Sequence, residues 1–479
     1  MSAIIIGLIV YLVITFLISL LVSYKVKGSS KNFLIAGGTL PFLFVIFAQI
    51  EQAIDGNATL GLFNLARDFG FWSALAIPLG LGISLILAGL LFAKPLREKK
   101  ILTIGDYFRV KFGKEVEYIA AILMILSFSI LLAGNLAAVG KIVENIFGVS
   151  FVYAVILSFI FIFIYTYIGG FISDVVTDPI QVITFIIGVV GALFWIIKDF
   201  GINAFASETA YSLTQFTSSS SGAVINWATI LALGLGDIIA VDFIARLLAA
   251  KSTKDAQKGC LIGGIGTIII GGLFALFGIG TLVLSDGSSE LFEILRNNFP
   301  VVIVILFLGA VITASFSTAD GALLGPASLL ARNIFHKKAK KIRGYDHLLK
   351  YTRFFIILMG IFGVFIALKI PQPGILLTLA FDVVLCSLFA CFALGTFWLA
   401  NKRAAIYSII IGGSLRLLFF IFTPTIFGVP NTLLYIKNNI FTESFDGWAT
   451  IIPFIISLFV YIFITLLLRN KNQLALSNT

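Results

Sequence analysis

The sequence predicts an all-α polytopic membrane protein, and two observations predict it. Hydrophobic residues make up 59% of the 479 and charged residues only 12%, with a mean hydropathy of +1.09, far from the balance of a soluble domain. These apolar residues gather into stretches of at least about 17, the length a helix needs to cross a bilayer. Three cysteines (Cys260, Cys386, Cys391) and two histidines (His336, His347) offer neither a disulfide framework nor a transition-metal cluster. Cys386 and Cys391 are expected to pack as small apolar residues.

The first stretch runs from Ala3 to Ser23. It lacks a basic n-region and an A-x-A cleavage signal, so it reads as a retained helix. A broken stretch follows from Phe42 to about Leu65, then stretches near Phe71 to Ala93, Val116 to Lys141, Ser150 to Ile168 and Val175 to Ile197. After a polar loop come Ala223 to Leu248, Gly259 to Leu284, Val301 to Leu330, Tyr351 to Leu368, Gly374 to Ala400, Ala404 to Phe427 and Thr450 to Leu468. That is about 13 spans, an odd number that puts the termini on opposite sides.

Lysine and arginine fix the expected orientation, because basic loop residues are retained on the cytoplasmic side. Alternate loops carry Lys25, Lys27 and Lys31; the run from Lys94 to Lys114; Arg246 to Lys258; Arg332 to Lys350; Lys402 with Arg403; and Arg469 with Lys471. The intervening loops hold single cations such as Arg67, Lys198, Arg296 and Lys437 among acids. The N-terminus is therefore expected outside and the C-terminus in the cytoplasm, in the plasma membrane. The same retention explains a pI of about 9.4, which leaves a nucleic-acid reading without support. His336 to Lys341 reads as a solvated basic loop facing anionic lipid.

Chemistry is concentrated in Ala314-Ser-Phe-Ser-Thr-Ala-Asp-Gly-Ala-Leu-Leu, where hydroxyls and a carboxylate interrupt a membrane-length apolar stretch. On a helix, Ala314, Ser317, Thr318 and Gly321 share one stripe, with Asp320 on its flank. Hydrocarbon would leave those oxygens unsatisfied, so they read as an ion site unless they bond back to their own helix. Two further segments are polar or glycine-interrupted: Ala48-Gln-Ile-Glu-Gln-Ala-Ile-Asp-Gly-Asn-Ala-Thr-Leu-Gly and Leu233-Gly-Leu-Gly-Asp-Ile-Ile-Ala-Val-Asp. They open spans two to six and seven to eleven, two five-helix halves of opposite topology. Broken helices in corresponding positions of two halves mark the substrate site of a secondary transporter.

These residues resemble the sodium/solute symporter family, the carriers of sugars, proline, pantothenate and sialic acid. Tyr165-Thr-Tyr-Ile-Gly-Gly-Phe-Ile-Ser-Asp-Val-Val-Thr-Asp-Pro-Ile-Gln is similar to that family's Y-T-x-x-G-G-x-x-x-x-x-x-T-D-x-x-Q, and Ala314 to Leu324 to its A-x-x-S-T-x-D-S-x-L-L. Arg246-Leu-Leu-Ala-Ala-Lys-Ser and Gly395-Thr-Phe-Trp-Leu-Ala-Asn add support. The resemblance implies an inverted five-plus-five helix repeat of the LeuT type in one transporter domain, 1–479. Within it, 1–35 is a peripheral helix and loop, 36–197 and 223–400 are the two repeats, and 401–479 holds two peripheral helices. It also implies a sodium-coupled symporter that imports a small polar solute by alternating access, with sodium as the coupling ion and the lipid bilayer as its setting.

Carried over by position, sodium takes the backbone carbonyls of Glu51, Ile54 and Ala314 and the hydroxyls of Ser317 and Thr318. A second cation site in some members maps to Asp178, Ser317, Asp320 and Gly321, where Gly321 replaces the usual serine and removes a ligand. Asp178 reads otherwise as a helix N-terminal residue at the cytoplasmic interface. Glu51 and Asp55 depart from that family's small or neutral residues, and a carboxylate at the bilayer centre costs at least about 2.5 kcal/mol. Three readings stay open for them: recognition of a cationic or amine-bearing solute, a protonatable coupling site, or a structural ion pair. The last needs an internal cation, for which Arg416 is the one available at membrane depth, unless it serves Asp382 or snorkels.

Gln52, Asp55, Asn57, Thr59, Asn135, Asp237 and Asp382 are the candidate substrate residues, each alternatively a hydrogen bonder between helices. Asp242 and Arg246, four apart, are expected to form a local ion pair. No nucleotide-binding Gly-Lys-Ser/Thr, no His-Glu-x-x-His and no soluble domain point to an enzyme. A proton-coupled carrier, a non-transporting solute sensor and an intramembrane aspartyl protease remain formal alternatives.

Overall fold

The computed structural model describes residues 2–26, 28–51, 54–284, 290–335, 347–425 and 435–477. Among these there are helices and turns and no strand; Leu40 and Ala250 form an isolated parallel bridge. Helix α1 (Ser2–Ser23) is followed by α2 (Phe42–Glu51) and α3 (Gly56–Asp68), the two pieces of the first broken span. Next come α4 (Phe71–Leu87), the short α5 (Ile104–Phe112), α6 (Lys114–Phe147) and α7 (Phe151–Phe200). The second broken span is α8 (Ala223–Leu231) and α9 (Val241–Ala249), joined through a π turn and a 3-10 turn and bent by 49°. The chain continues with α10 (Thr253–Gly280), α11 (Val301–Leu329), α12 (His347–Lys369), α13 (Ile375–Val384), α14 (Ala390–Phe397), α15 (Lys402–Phe422) and α16 (Asp446–Ser477).

Among the described residues, ten helices are long and apolar enough to cross a membrane, or eleven with the bent pair taken as one span. The thirteen expected are not reached by that count. Two of the expected spans fall in the single stretch α7, whose 50 residues would extend about 75 Å if straight. Gly170, at φ 53° and ψ −158°, is the one non-helical residue within α7 and divides it; a left-handed φ at this crowded point favours a residue without a Cβ. The 10-residue α2 is too short to count alone.

Helix α11 is central, packed along α7 and α6, while α10 packs on α4 and α2. The pair α15 and α16 lean on each other at the periphery, and α1 lies against α7 and α11. Large apolar side chains such as Leu21, Phe194, Phe354, Ile361 and Phe459 stand exposed on the outside. That surface is costly in water and suits hydrocarbon. Cys260, Cys386 and Cys391 are buried free thiols.

Candidate functional site

The first break is built by its own sequence. Helix α2 stops at Glu51, and α3 starts beneath Asp55, whose Oδ1 accepts the Ala58 backbone N–H at 2.7 Å. This N-cap satisfies one of the donors a helix start leaves unpaired. The Gly56 N–H then donates to Ser315 Oγ at 2.7 Å, and that hydroxyl donates to the Val311 carbonyl at 2.7 Å, pinning the break against α11. A Cβ at Gly56 would lie 2.6 Å from Ser315 Oγ and 2.9 Å from Ala138 Cβ. Gly56→Ala is accordingly expected to cost about 1–3 kcal/mol through overpacking, read as a lower unfolding midpoint of the purified protein; an unchanged midpoint would contradict this close approach.

Along that seam two side chains of the break meet two hydroxyls of α11. The Glu51 side chain faces Ser317, and the Asp55 side chain faces Thr318. The Glu51 carbonyl accepts from the Ile54 N–H at 3.1 Å and the Ile54 carbonyl from the Thr59 hydroxyl at 3.0 Å, so each retains a second lone pair. Ala314 lies inside the continuous helix α11. Ser317 Oγ donates to Asp178 Oδ1 at 3.3 Å. The Thr318 hydroxyl is buried beside the Asp55 carboxylate without a partner in full hydrogen-bond geometry, and Asp178 Oδ2 and both Asp320 oxygens, the latter near Thr166, likewise have none. An all-oxygen set with orphaned buried atoms fits a hard cation, because such atoms are costly without a partner. Among the described residues no group of three or more His, Cys, Asp or Glu side chains is placed to hold a metal, so a cation at Asp178 and Asp320 would depend on hydroxyls.

The expected Asp242–Arg246 ion pair does not form. Asp242 Oδ1 accepts the Phe243 backbone N–H at 2.8 Å. Arg246 instead reaches across the bundle: Nη2 lies 2.9 Å from Asp174 and 3.7 Å from Glu51, and Nε donates to the Ala48 carbonyl at 2.9 Å. The reason is geometric: α9 is set at 49° to α8 and packs on α2, and the long guanidinium stem reaches from there to Asp174 of α7. Arg416 is therefore not the one internal cation; Arg246, fully buried, gives Glu51 its ion pair. Gly321 packs against the same pair: a Cβ there would approach Asp242 Cβ to 3.1 Å, so a serine would require Asp242 to give by a few tenths of an ångström.

Most of the candidate substrate residues turn to helix-to-helix bonds. Asn135 donates to Asp55 Oδ2 at 2.8 Å, Asn57 Oδ1 accepts the Gly374 N–H at 2.7 Å, and Asp237 accepts from Ser84 at 3.0 Å. Gln52 lies outside the described residues, as does the basic stretch His336 to Lys341. A cavity of about 360 Å³ opens beside α3, α8 and α13, and of the described candidates only Asp382 lines it. Asp382 holds Arg416 at 2.6 Å and accepts from the Thr450 hydroxyl at 3.1 Å. Sequence reasoning did not single out Ser315 or Asp174; Arg416, named there as an internal cation or a partner of Asp382, takes the second role. Asp174, a charge inside the Tyr165 to Gln181 motif, was the detectable one.

The sodium:solute symporter family model matches residues 33–412. The chain belongs to the sodium:solute symporter family. Among its relatives, the human high affinity choline transporter 1 is 27% identical over 363 residues, 69% of this chain and 61% of that protein. The Haemophilus influenzae sodium/pantothenate symporter is 25% identical over 431 residues, 85% of this chain and 88% of that one. The chain thus spans about 61% of the length of the human choline transporter. A Na⁺-coupled sialic acid symporter in a substrate-bound outward-open state superposes with a TM-score of 0.73 at 18% identity, over 96% of this chain and 98% of that one. Mhp1, a nucleobase-cation-symport-1 family transporter in a closed conformation with bromovinylhydantoin, gives 0.60 at 14% identity over 90% and 93%. These structures establish that this symporter family member has the LeuT-type fold.

Proposed function

We propose that the protein is a sodium-coupled symporter that imports a small polar organic solute across the plasma membrane. The carrying observation is the seam itself: an unwound break held by Ser315 of α11 against a buried hydroxyl, Thr318 Oγ1, that has no partner in full hydrogen-bond geometry. Sodium in that seam would hold α2 and α3 to α11, using the Glu51, Ile54 and Ala314 carbonyls and the Ser317 and Thr318 hydroxyls. Unwound backbone at membrane depth is tolerated where it lines such a site. Asp178 and Asp320 form the candidate second cation site. The halves 36–197 and 223–400 move relative to one another, with the N-terminus outside and the C-terminus in the cytoplasm. Membership in a family of carriers supports solute movement rather than catalysis, and relatives named for choline and pantothenate support an organic solute. By linkage, solute must raise sodium affinity by the factor by which sodium raises solute affinity. Uptake of solute into liposomes driven by a sodium gradient tests the reading, and uptake indifferent to sodium would contradict it.

Alternating access needs a closure on the side opposite the cavity, and a network at the basic-loop side is suited to it. Arg332 Nε meets both Asp106 oxygens of α5 at 2.9 and 2.8 Å, while Asn333 donates to Glu117 at 2.8 Å and accepts from Thr103 at 2.9 Å. Arg332→Ala is expected to shift the balance toward the state open on that side by about two- to fivefold, the worth of a partly exposed pair. Labelling of Ser328→Cys by a thiol reagent applied from that side should rise by that factor; unchanged labelling would remove the network from the gate.

A further inference from the structure

The ion pair in the cavity wall is incompletely used. Asp382 and Arg416 line the cavity at 5% and 2% exposure. They share one contact, Arg416 Nη2 to Asp382 Oδ2, and Thr450 adds a second donor to that same oxygen. Asp382 Oδ1 and Arg416 Nε and Nη1 are buried in the wall and make no hydrogen bond. The guanidinium is stacked 3.8 Å from the centre of the Phe420 ring, which fixes its plane. Two buried charges with unspent donors and acceptors are costly unless something supplies partners.

We propose that Asp382 and Arg416 form a ligand subsite for a small zwitterion, its carboxylate received by Arg416 and its ammonium by Asp382. This deepens the carrier reading and rests on it. A solute bearing only an ammonium would set its charge against Arg416, and one bearing only a carboxylate would set its charge against Asp382; in a poorly solvated wall either repulsion is large. A zwitterion satisfies both partners at once. The rest of the cavity favours access ammonium-first. Asp68, Glu290, Asp382 and Asp446 face it against Lys141 and Arg416, a formal balance of −2. A volume of about 360 Å³ suits a solute of amino-acid size.

The test is thermal unfolding of the purified protein in sodium and in potassium buffer, with neutral L-α-amino acids and glycine betaine as zwitterions. Choline and 3,3-dimethylbutyrate carry one charge each. At least one zwitterion should raise the unfolding temperature in sodium, and neither single-charge probe should match it. Arg416→Lys keeps a cation opposite Asp382; it should retain the response to sodium alone yet bind the zwitterion about tenfold more weakly. A choline response equal to the zwitterions', no zwitterion response in sodium, or undiminished zwitterion affinity in Arg416→Lys would each overturn the subsite while leaving the carrier reading intact. Loss of any stabilisation by sodium itself would instead strike at the carrier reading.

Discussion

Replacing Arg246 by methionine is expected to lower the unfolding free energy by about 3–5 kcal/mol, the cost of stranding a buried charge by deleting its partner. In this chain the stranded groups are Asp174 at 2.9 Å and Glu51 at 3.7 Å, both fully buried, together with the Ala48 carbonyl that Nε caps at 2.9 Å. Methionine has comparable length but offers no charge and no donor. Because the residues are in contact, their substitutions should not add. Asp174→Asn introduced beside Arg246→Met should recover part of the loss, whereas Asp174→Asn alone should be destabilising. Thermal and denaturant unfolding in detergent reads all three variants. A loss below about 1 kcal/mol in Arg246→Met, the range of exposed pairs, would show that the guanidinium is not the counter-ion of this cluster.

The second large effect concerns Thr318. Its hydroxyl is buried without a partner in full hydrogen-bond geometry, while Thr313 and Ser328 on the same helix donate back to the Gly309 and Gly325 carbonyls at 2.9 and 2.7 Å. If Thr318 ligates sodium, Thr318→Ala removes a contact comparable to a charge-assisted hydrogen bond, about 1.5 kcal/mol or more. The half-saturating sodium concentration for uptake should then rise roughly tenfold. Ser317→Ala should raise it too, though Ser317 also serves Asp178. Thr313→Ala and Ser328→Ala should leave sodium dependence within about twofold, since back-bonded hydroxyls are not available to the ion. Equal sodium activation in Thr318→Ala and these controls would remove Thr318 from the site.

The helical class and the broken spans were legible in the sequence, and so was the meeting of the first break with α11. Long apolar stretches and the Ala314 to Leu324 pattern depend on local spacing, which sequence displays directly. The pairing of Arg246 was not legible. Spacing of four placed Asp242 as its neighbour, yet a bent α9 let a long side chain reach α2 and α7. Nor was the division between cavity wall and helix seam. Asp55, Asn57 and Asn135 carry the polarity expected of a solute site, but they are consumed by a helix cap and by bonds between helices, and only the packing reveals that Asp382 alone among the described candidates meets the cavity. The count of thirteen spans differs from a count by helix length because Gly170 divides α7, which that count takes as one helix, and because α2 is too short to be counted.

The most direct test of the central claim is equilibrium binding of radioactive sodium to the purified protein and to the Ser317→Ala/Thr318→Ala double variant. The seam between the broken first span and α11 predicts saturable binding that potassium does not displace and that disappears in the double variant. Saturable binding of undiminished affinity in the double variant would place the ion elsewhere and contradict the assignment.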